Sequence, residues 1–289
     1  MLSVCLIFLY VLLSAYLIGF LVLSGIGHLC GKVSHVPVSG MGVRRTDGPK
    51  VACHITKVDS YLMAGLVAVT VYAQFFSLFY KVGLMANVLL LFICVITAIF
   101  FHDQIKEELS KQYRSMKGTG KIFCFCLFLL FAYGTSRGII HYDTGLYHAQ
   151  SIRWIEEYGV VKGLGNLHCR LAYNSSAFSL SALYSFSFLG GQSYHCMAGF
   201  FAMILAKVCA EITGAWKRKR LFLADIVRLM GLYYLFIIYD EMISPASDYF
   251  TVLTVFYIII RYLDLAEKGE ESWIPYGLLA LLGVYTVSL

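Results

Sequence analysis

The sequence predicts an all-α, polytopic transmembrane helical bundle of about eight or nine spans, with one interfacial helix on the non-cytoplasmic face. Three observations predict it. The 289 residues are 59% apolar and only 14% charged, against roughly 25% charged in a soluble domain. Mean hydropathy is +0.73. The apolar residues gather into runs near 2–25, 60–80, 84–102, 121–140, 193–215, 222–240, 249–263 and 273–289. An ordinary core cannot bury this much apolar side chain, so the surplus faces lipid, at about 20 residues per crossing. Residues 1–289 therefore read as a single integral membrane domain.

The first run has no basic residues ahead of it and no small-residue cleavage site, so it reads as a retained helix rather than a signal peptide. Loop 26–58 carries Lys32, Arg44, Arg45, Lys50 and Lys57. Loop 103–121 carries Lys106, Lys111, Arg114, Lys117 and Lys121. Two spans separate these loops, so they share a side, and the positive-inside rule makes both cytoplasmic. The loop 141–173 follows one span later and is extracytoplasmic.

The stretch 174–192 is rich in serine and ends in Gly190, Gly191 and Gln192. As a full span it would carry Lys217, Arg218, Lys219 and Arg220 outside. As an interfacial or partly re-entrant segment it leaves them inside, with sixteen basic residues in and five out. The second reading is adopted. The run 222–240 then points outward and delivers Asp240–Asp248 to the same face as 141–173. The last run stops at Leu289 without a polar tail, which raises the expectation of a truncated chain.

The net charge of +6 suggests nucleic acid only at first sight. The basic residues lie between apolar runs and form no patch, so no nucleic-acid partner is expected. Among the nine cysteines there is no CxxC and no extracellular framework, which leaves small buried hydrophobes.

Three constellations carry candidate chemistry. In the first, His141 to Gln150, Asp143 or Thr144 is placed to cap a following helix. Tyr147, Ser151, Trp154, Ile155 and Tyr158 recur at helical spacing with Arg153, Glu156 and Glu157 between them, the pattern of an amphipathic helix lying flat at a membrane surface. A carboxylate at the mouth of a span suits proton abstraction from a hydroxyl or contact with a phosphate-bound metal; a plain N-cap is the structural alternative. His141, Asp143 and His148 match no zinc spacing, so no metal site is assigned.

The second runs from Lys162 to Ser176. Lys162, His168 and Arg170 suit a phosphate, although Gly163 and Gly165 form no P-loop because no GK[ST] follows. A headgroup-facing loop is the alternative. The third is Asp240 to Tyr249, with three carboxylates in nine residues and Pro245 at the turn. Membrane-edge carboxylates are costly and default to function; Ser247 or Asp248 as an N-cap is the alternative. Within the spans, Asp225 and Arg228 are expected to pair, and Lys207 to snorkel or to pair with Glu211.

The segments Asp143 through Gln150, Gly163 through Arg170 and Ser244 through Asp248 resemble D-T-x-x-Y-H-x-Q, G-L-x-N-L-H-x-R and S-P-x-x-D segments of a group of large, poorly characterised bacterial integral membrane proteins. That group in turn looks like GT-C glycosyltransferases, which take sugars from polyprenyl-phosphate donors. The resemblance implies a GT-C-like bundle in the inner (plasma) membrane, multi-pass, serving cell-envelope polysaccharide or glycolipid synthesis. It implies a lipid-linked sugar donor as partner and a divalent cation as an optional cofactor. Asp143 would be the base and Asp248 a second acid or metal contact. His148, Gln150, Arg153, Lys162, His168, Arg170 and Asn174 are the candidate substrate-binding residues. A transporter or flippase of envelope lipids or polymers is the alternative, and a non-catalytic scaffold the third.

Overall fold

In the computed structural model, residues 1–33 and 57–289 are described, and the expected basic loop at 26–58 falls largely outside them. The described residues are mostly helical, with no strand among them. In order the helices are α1 (Leu2–Val33), α2 (Val58–Ser77), α3 (Leu84–Phe100), α4 (His102–Ser115), α5 (Gly118–Ser136), α6 (Ala149–Tyr158), α7 (Ser176–Leu183), α8 (Met197–Cys209), α9 (Thr213–Arg218), α10 (Leu223–Ile238), α11 (Ser247–Lys268) and α12 (Trp273–Ser288).

Five segments are long and apolar enough to cross a membrane: Leu2–Ile26, Val58–Ser77, Gly118–Ser136, Met197–Trp216 and Ser247–Lys268. A sixth is added if α3 and α4, which meet at 85°, count as one broken span. The sequence expectation of eight or nine is larger because α10 and α12 have only 16 residues each, short of the roughly 20 a full crossing takes. Large apolar side chains stay exposed on the outer faces, among them Phe92, Ile99, Leu229 and Phe236. That is the pattern of a bundle whose solvent is lipid.

Close backbone approach fixes the first pair. A Cβ placed on Gly19 would lie 1.8 Å from the Tyr61 carbonyl oxygen, and one on Gly65 would lie 1.8 Å from that of Ala15. Only hydrogen at both positions lets α1 and α2 touch, as small residues do in membrane bundles. At the centre stands α8, buried at every residue except Lys207 and packed against α5, α10 and α11.

The stretch 174–192 enters and leaves at one end of the bundle. At its start Ser176 Oγ lies 3.0 Å from Ser288 Oγ, and Ser175 Oγ donates to the Leu289 carbonyl. Just past its end Ser193 Oγ donates to Glu156 of α6 at 2.7 Å. Between these points the chain dips inward, where the Tyr184 hydroxyl lies 2.8 Å from Ser14 Oγ of α1. All eight residues of α7 are buried. Serine and irregular backbone are tolerated at such depth when protein rather than lipid surrounds them. By length the stretch holds only a shorter apolar helix, Ser176–Leu189, and is not among the candidate spans.

The bundle thus has two distinct ends. One holds α6, the hairpin 174–196 and the turn between α10 and α11. The other holds α4, α9 and the last turns of α8 and α11.

Candidate functional site

The first end gathers all three constellations. Residues 137–140 run extended beside the α10–α11 turn, and the Ile139 N–H donates to the Asp240 carbonyl at 2.7 Å. Gly138, at φ +143°, makes this possible, since a Cβ there would lie 2.2 Å from the Asp240 oxygen. The chain next delivers the His141 N–H to Ser244 Oγ at 2.7 Å, and the His141 ring edge stands 6.2 Å from the Tyr249 ring. The Tyr249 hydroxyl donates to Glu241.

From this anchorage a short π-helical turn, Thr144–His148, leads into α6. Asp143 sits in helical conformation just before it and makes no side-chain cap. Its carboxylate instead receives the Arg170 guanidinium, Nη1 to Oδ1 at 2.6 Å. The capping alternative for Asp143 is therefore not what the structure shows. Arg170 also stands over the Tyr147 ring, 5.3 Å from its centroid. The hydrogen bond to Asp143 raises Arg170 further above its ordinary value. Both partners of the pair are partly open to solvent, so a ligand can reach them.

His148 is buried behind the pair against Tyr147 and Phe178, and its Nδ1 has no hydrogen-bond partner. Burial lowers its pKa, with the Asp143 and Asp248 charges pulling the other way. Asp248 is exposed in the first turn of α11 and makes no cap there; its charge is felt at Tyr147 and His148. Asp143, His148, Arg170 and Asp248 thus form one cluster drawn from three separate segments. His168 joins them indirectly: its Nδ1 accepts the Arg170 N–H at 3.3 Å.

The other proposed residues stand apart. Arg153 pairs with Glu157 at 2.5 Å and donates to the Gly191 carbonyl at 3.1 Å. It lines a separate cavity of about 550 Å³ with Lys81, Glu156 and Phe188. Gln150 and Lys162 are exposed. Asn174 lines a third cavity, of about 260 Å³, with Trp154, Gly163 and Tyr173. Among the described residues no group of three or more His, Cys, Asp or Glu is arranged to hold a metal ion, and Arg170 already occupies the Asp143 carboxylate.

Sequence reasoning missed a second polar centre at the opposite end. Asp59, at the start of α2, is fully buried. It accepts from Lys207 at 3.0 Å, from the Tyr257 hydroxyl at 3.0 Å, and from Arg261 at 3.0 and 2.7 Å. Arg261 continues to Glu211 at 2.8 Å and to Asp264 at 3.0 Å. Arg228 joins Asp264 at 2.5 Å and Asp225 at 2.9 Å. The expected Asp225–Arg228 pair is present. Lys207 pairs with Asp59 rather than with Glu211, which turns instead to Arg261 and Lys57. The signal was an aspartate opening an apolar run, expensive unless partnered.

A family model described as Domain of unknown function (DUF8201) matches residues 1–289. No curated protein and no solved structure matches the chain.

Proposed function

The chain belongs to the DUF8201 family, and from that premise we propose a GT-C-type membrane glycosyltransferase that moves a sugar from a polyprenyl-phosphate donor to an acceptor hydroxyl. The observation that carries this reading is the cluster of Asp143, Arg170, His148 and Asp248 at one end of the bundle. The short helices α3, α10 and α12 count as crossings in this reading, giving eight. The cluster then faces the extracytoplasmic side of the inner membrane, where α6 lies along the interface.

The chemistry follows from the residues. Arg170 pairs with the Asp143 carboxylate while the site is open. An arriving donor phosphate competes for the guanidinium, whose planar donors suit phosphate as well as carboxylate. Arg170 passes to the phosphate and frees the Asp143 carboxylate. Asp143 then takes the proton of the acceptor hydroxyl, whose oxygen attacks the anomeric carbon. The bond from that carbon to the phosphate oxygen breaks, and polyprenyl phosphate leaves with the electron pair. Attack opposite the leaving group inverts the anomeric centre. Asp248 supplies a second acidic group beside the acceptor.

The test is transfer of a radiolabelled sugar from a polyprenyl-phosphate donor by protein reconstituted in vesicles. Asp143→Asn is expected to abolish transfer at unchanged expression. An active Asp143→Asn protein removes Asp143 from the mechanism.

One observation favours a second reading, a transporter or flippase. The buried charges of Asp59, Arg228 and Arg261, with the half-buried Lys207, lie on four helices, α2, α8, α10 and α11, and intramembrane charge often marks a transport path. Movement of a fluorescent lipid-linked sugar between vesicle leaflets, without transfer, would select it.

A further inference from the structure

Two cavities meet beside the Asp143 cluster without sharing its charges. The first, about 460 Å³, is a groove between α1 and the re-entrant hairpin, lined by Leu6, Ile7, Tyr10, Phe186 and Leu189. It opens to the apolar surround, since Leu6 and Leu189 are 59% and 74% exposed. The second, about 430 Å³, is lined by Thr135, Ser136, Thr144, Ser193 and His195. Ser3, Gln192 and Tyr194 belong to both walls, so the groove and the polar cavity adjoin. The Tyr194 hydroxyl donates to Ser3 Oγ at 3.5 Å at this junction.

The polar half is built to meet a ligand. Thr144 is 5% exposed, and its Oγ1 has no hydrogen-bond partner. His195 Nδ1 is buried in the same wall and also lacks a partner. A buried polar atom without a partner is costly, so two of them in one cavity point to something that satisfies both. No Asp, Glu, Lys or Arg side chain lines either cavity among the described residues. Burial pushes the His195 imidazole down to about 4, so it is neutral near pH 7. Apart from the exposed Met1 terminus, no charged group lines either cavity, so a charged head would find no side-chain counter-charge here.

We infer that these two cavities form one binding site for a lipid with a neutral, hydroxyl-rich head, a glycolipid in chemical class, with its chain in the groove and its head against Thr144 and His195. Thr144 is the neighbour of Asp143 in the chain, so the head lies next to the proposed base. Under the transfer reading the occupant is the acceptor; the binding itself does not require that reading.

The experiment uses Asp143→Asn protein in phosphatidylcholine nanodiscs, so that transfer plays no part. The probe is an alkyl glucoside carrying a diazirine in its chain, with labelled peptides mapped by mass spectrometry. Labelling is expected in the segments holding Leu6–Tyr10 and Phe186–Leu189. Leu6→Trp, at an exposed position that the core does not use, is expected to cut it at least tenfold. A neutral glucosyl lipid should compete at least tenfold better than phosphatidylglycerol. Thr144→Val and His195→Phe should each shrink that preference while chain labelling persists. Labelling indifferent to Leu6→Trp, or equal competition by the anionic lipid, overturns the inference. Absence of transfer by the native protein, with binding intact, would instead count against the glycosyltransferase reading alone.

Discussion

His141 and His168 support the two halves of one ion pair in the same manner. Each ring Nδ1 accepts the backbone N–H of the residue two positions on, at 3.2 Å for Asp143 and 3.3 Å for Arg170. The residues so held are the ones whose side chains meet at 2.6 Å. Asparagine makes the same local bond to the backbone two residues on. His168→Asn should therefore keep most transfer activity. His168→Ala should lower it roughly three- to tenfold, the worth of one hydrogen bond. Equal rates for the two variants would remove this positioning role.

His195 gives the fold a pH dependence of defined sign. Its pKa falls from 6.5 unfolded to about 4 folded because burial disfavours the charged ring. Between those values the unfolded chain binds the extra proton, so stability rises with pH across the window and is lost as pH drops toward 4. The loss amounts to at most about 3 kcal/mol. Melting curves in detergent from pH 7 to pH 4 should show a steeper decline for the native chain than for His195→Phe. Parallel declines would contradict the assignment.

Asp59 secures the opposite end. Asp59→Ala leaves Lys207 without its carboxylate and Arg261 with part of its donors unmatched in a buried setting. Removing one partner of a buried pair costs roughly 3–5 kcal/mol. Asp103→Asn, in an exposed pair with His102, should not move the transition measurably. A harmless Asp59→Ala would show that the network contributes little to the fold.

The α1–α2 contact predicts a steric failure. Gly65→Leu puts a side chain where the Ala15 carbonyl already sits, 1.8 Å from the first added carbon. The variant should lose folded yield in detergent, whereas Gly283→Leu, whose Cβ position is open, should not. Similar yields would mean that the two helices can separate without harm.

Sidedness is open to a direct measurement. Cys169 is exposed at the motif end, and cysteines introduced at the exposed Gly190 and Lys111 report on the hairpin and on α4. In a background free of other cysteines, an impermeant maleimide should label positions 169 and 190 in intact cells. Position 111 should react only after permeabilisation. Opposite reactivity of positions 169 and 190 would make 174–192 a crossing.

Composition and run length made the helical membrane character legible, and the serine-rich stretch disclosed its odd behaviour through its lack of apolar length. The convergence of the Asp143, Arg170 and Asp248 segments followed from counting sides of the membrane, a parity argument that needs no side-chain detail. The pairing was less legible. Arg153 and Arg170 stood alike among the candidate substrate-binding residues, yet α6 turns Arg153 to Glu157 while the loop folds Arg170 onto Asp143. The Asp59 network escaped because residues paired within it lie up to 202 positions apart. Nearest-neighbour spacing on one helix suggested Lys207 with Glu211, and contacts between helices overrode it.

The seat of the re-entrant hairpin bears on biosynthesis. Ser176 meets Ser288, which the ribosome adds 112 positions later. At about 5–20 residues per second, that interval lasts roughly six to twenty seconds. Until α12 arrives, a serine-rich segment unsuited to lipid has to wait in the translocon channel or among insertion chaperones. Assembly of this end of the bundle is therefore paced by α12, and the hairpin finds its seat only once that helix has been made.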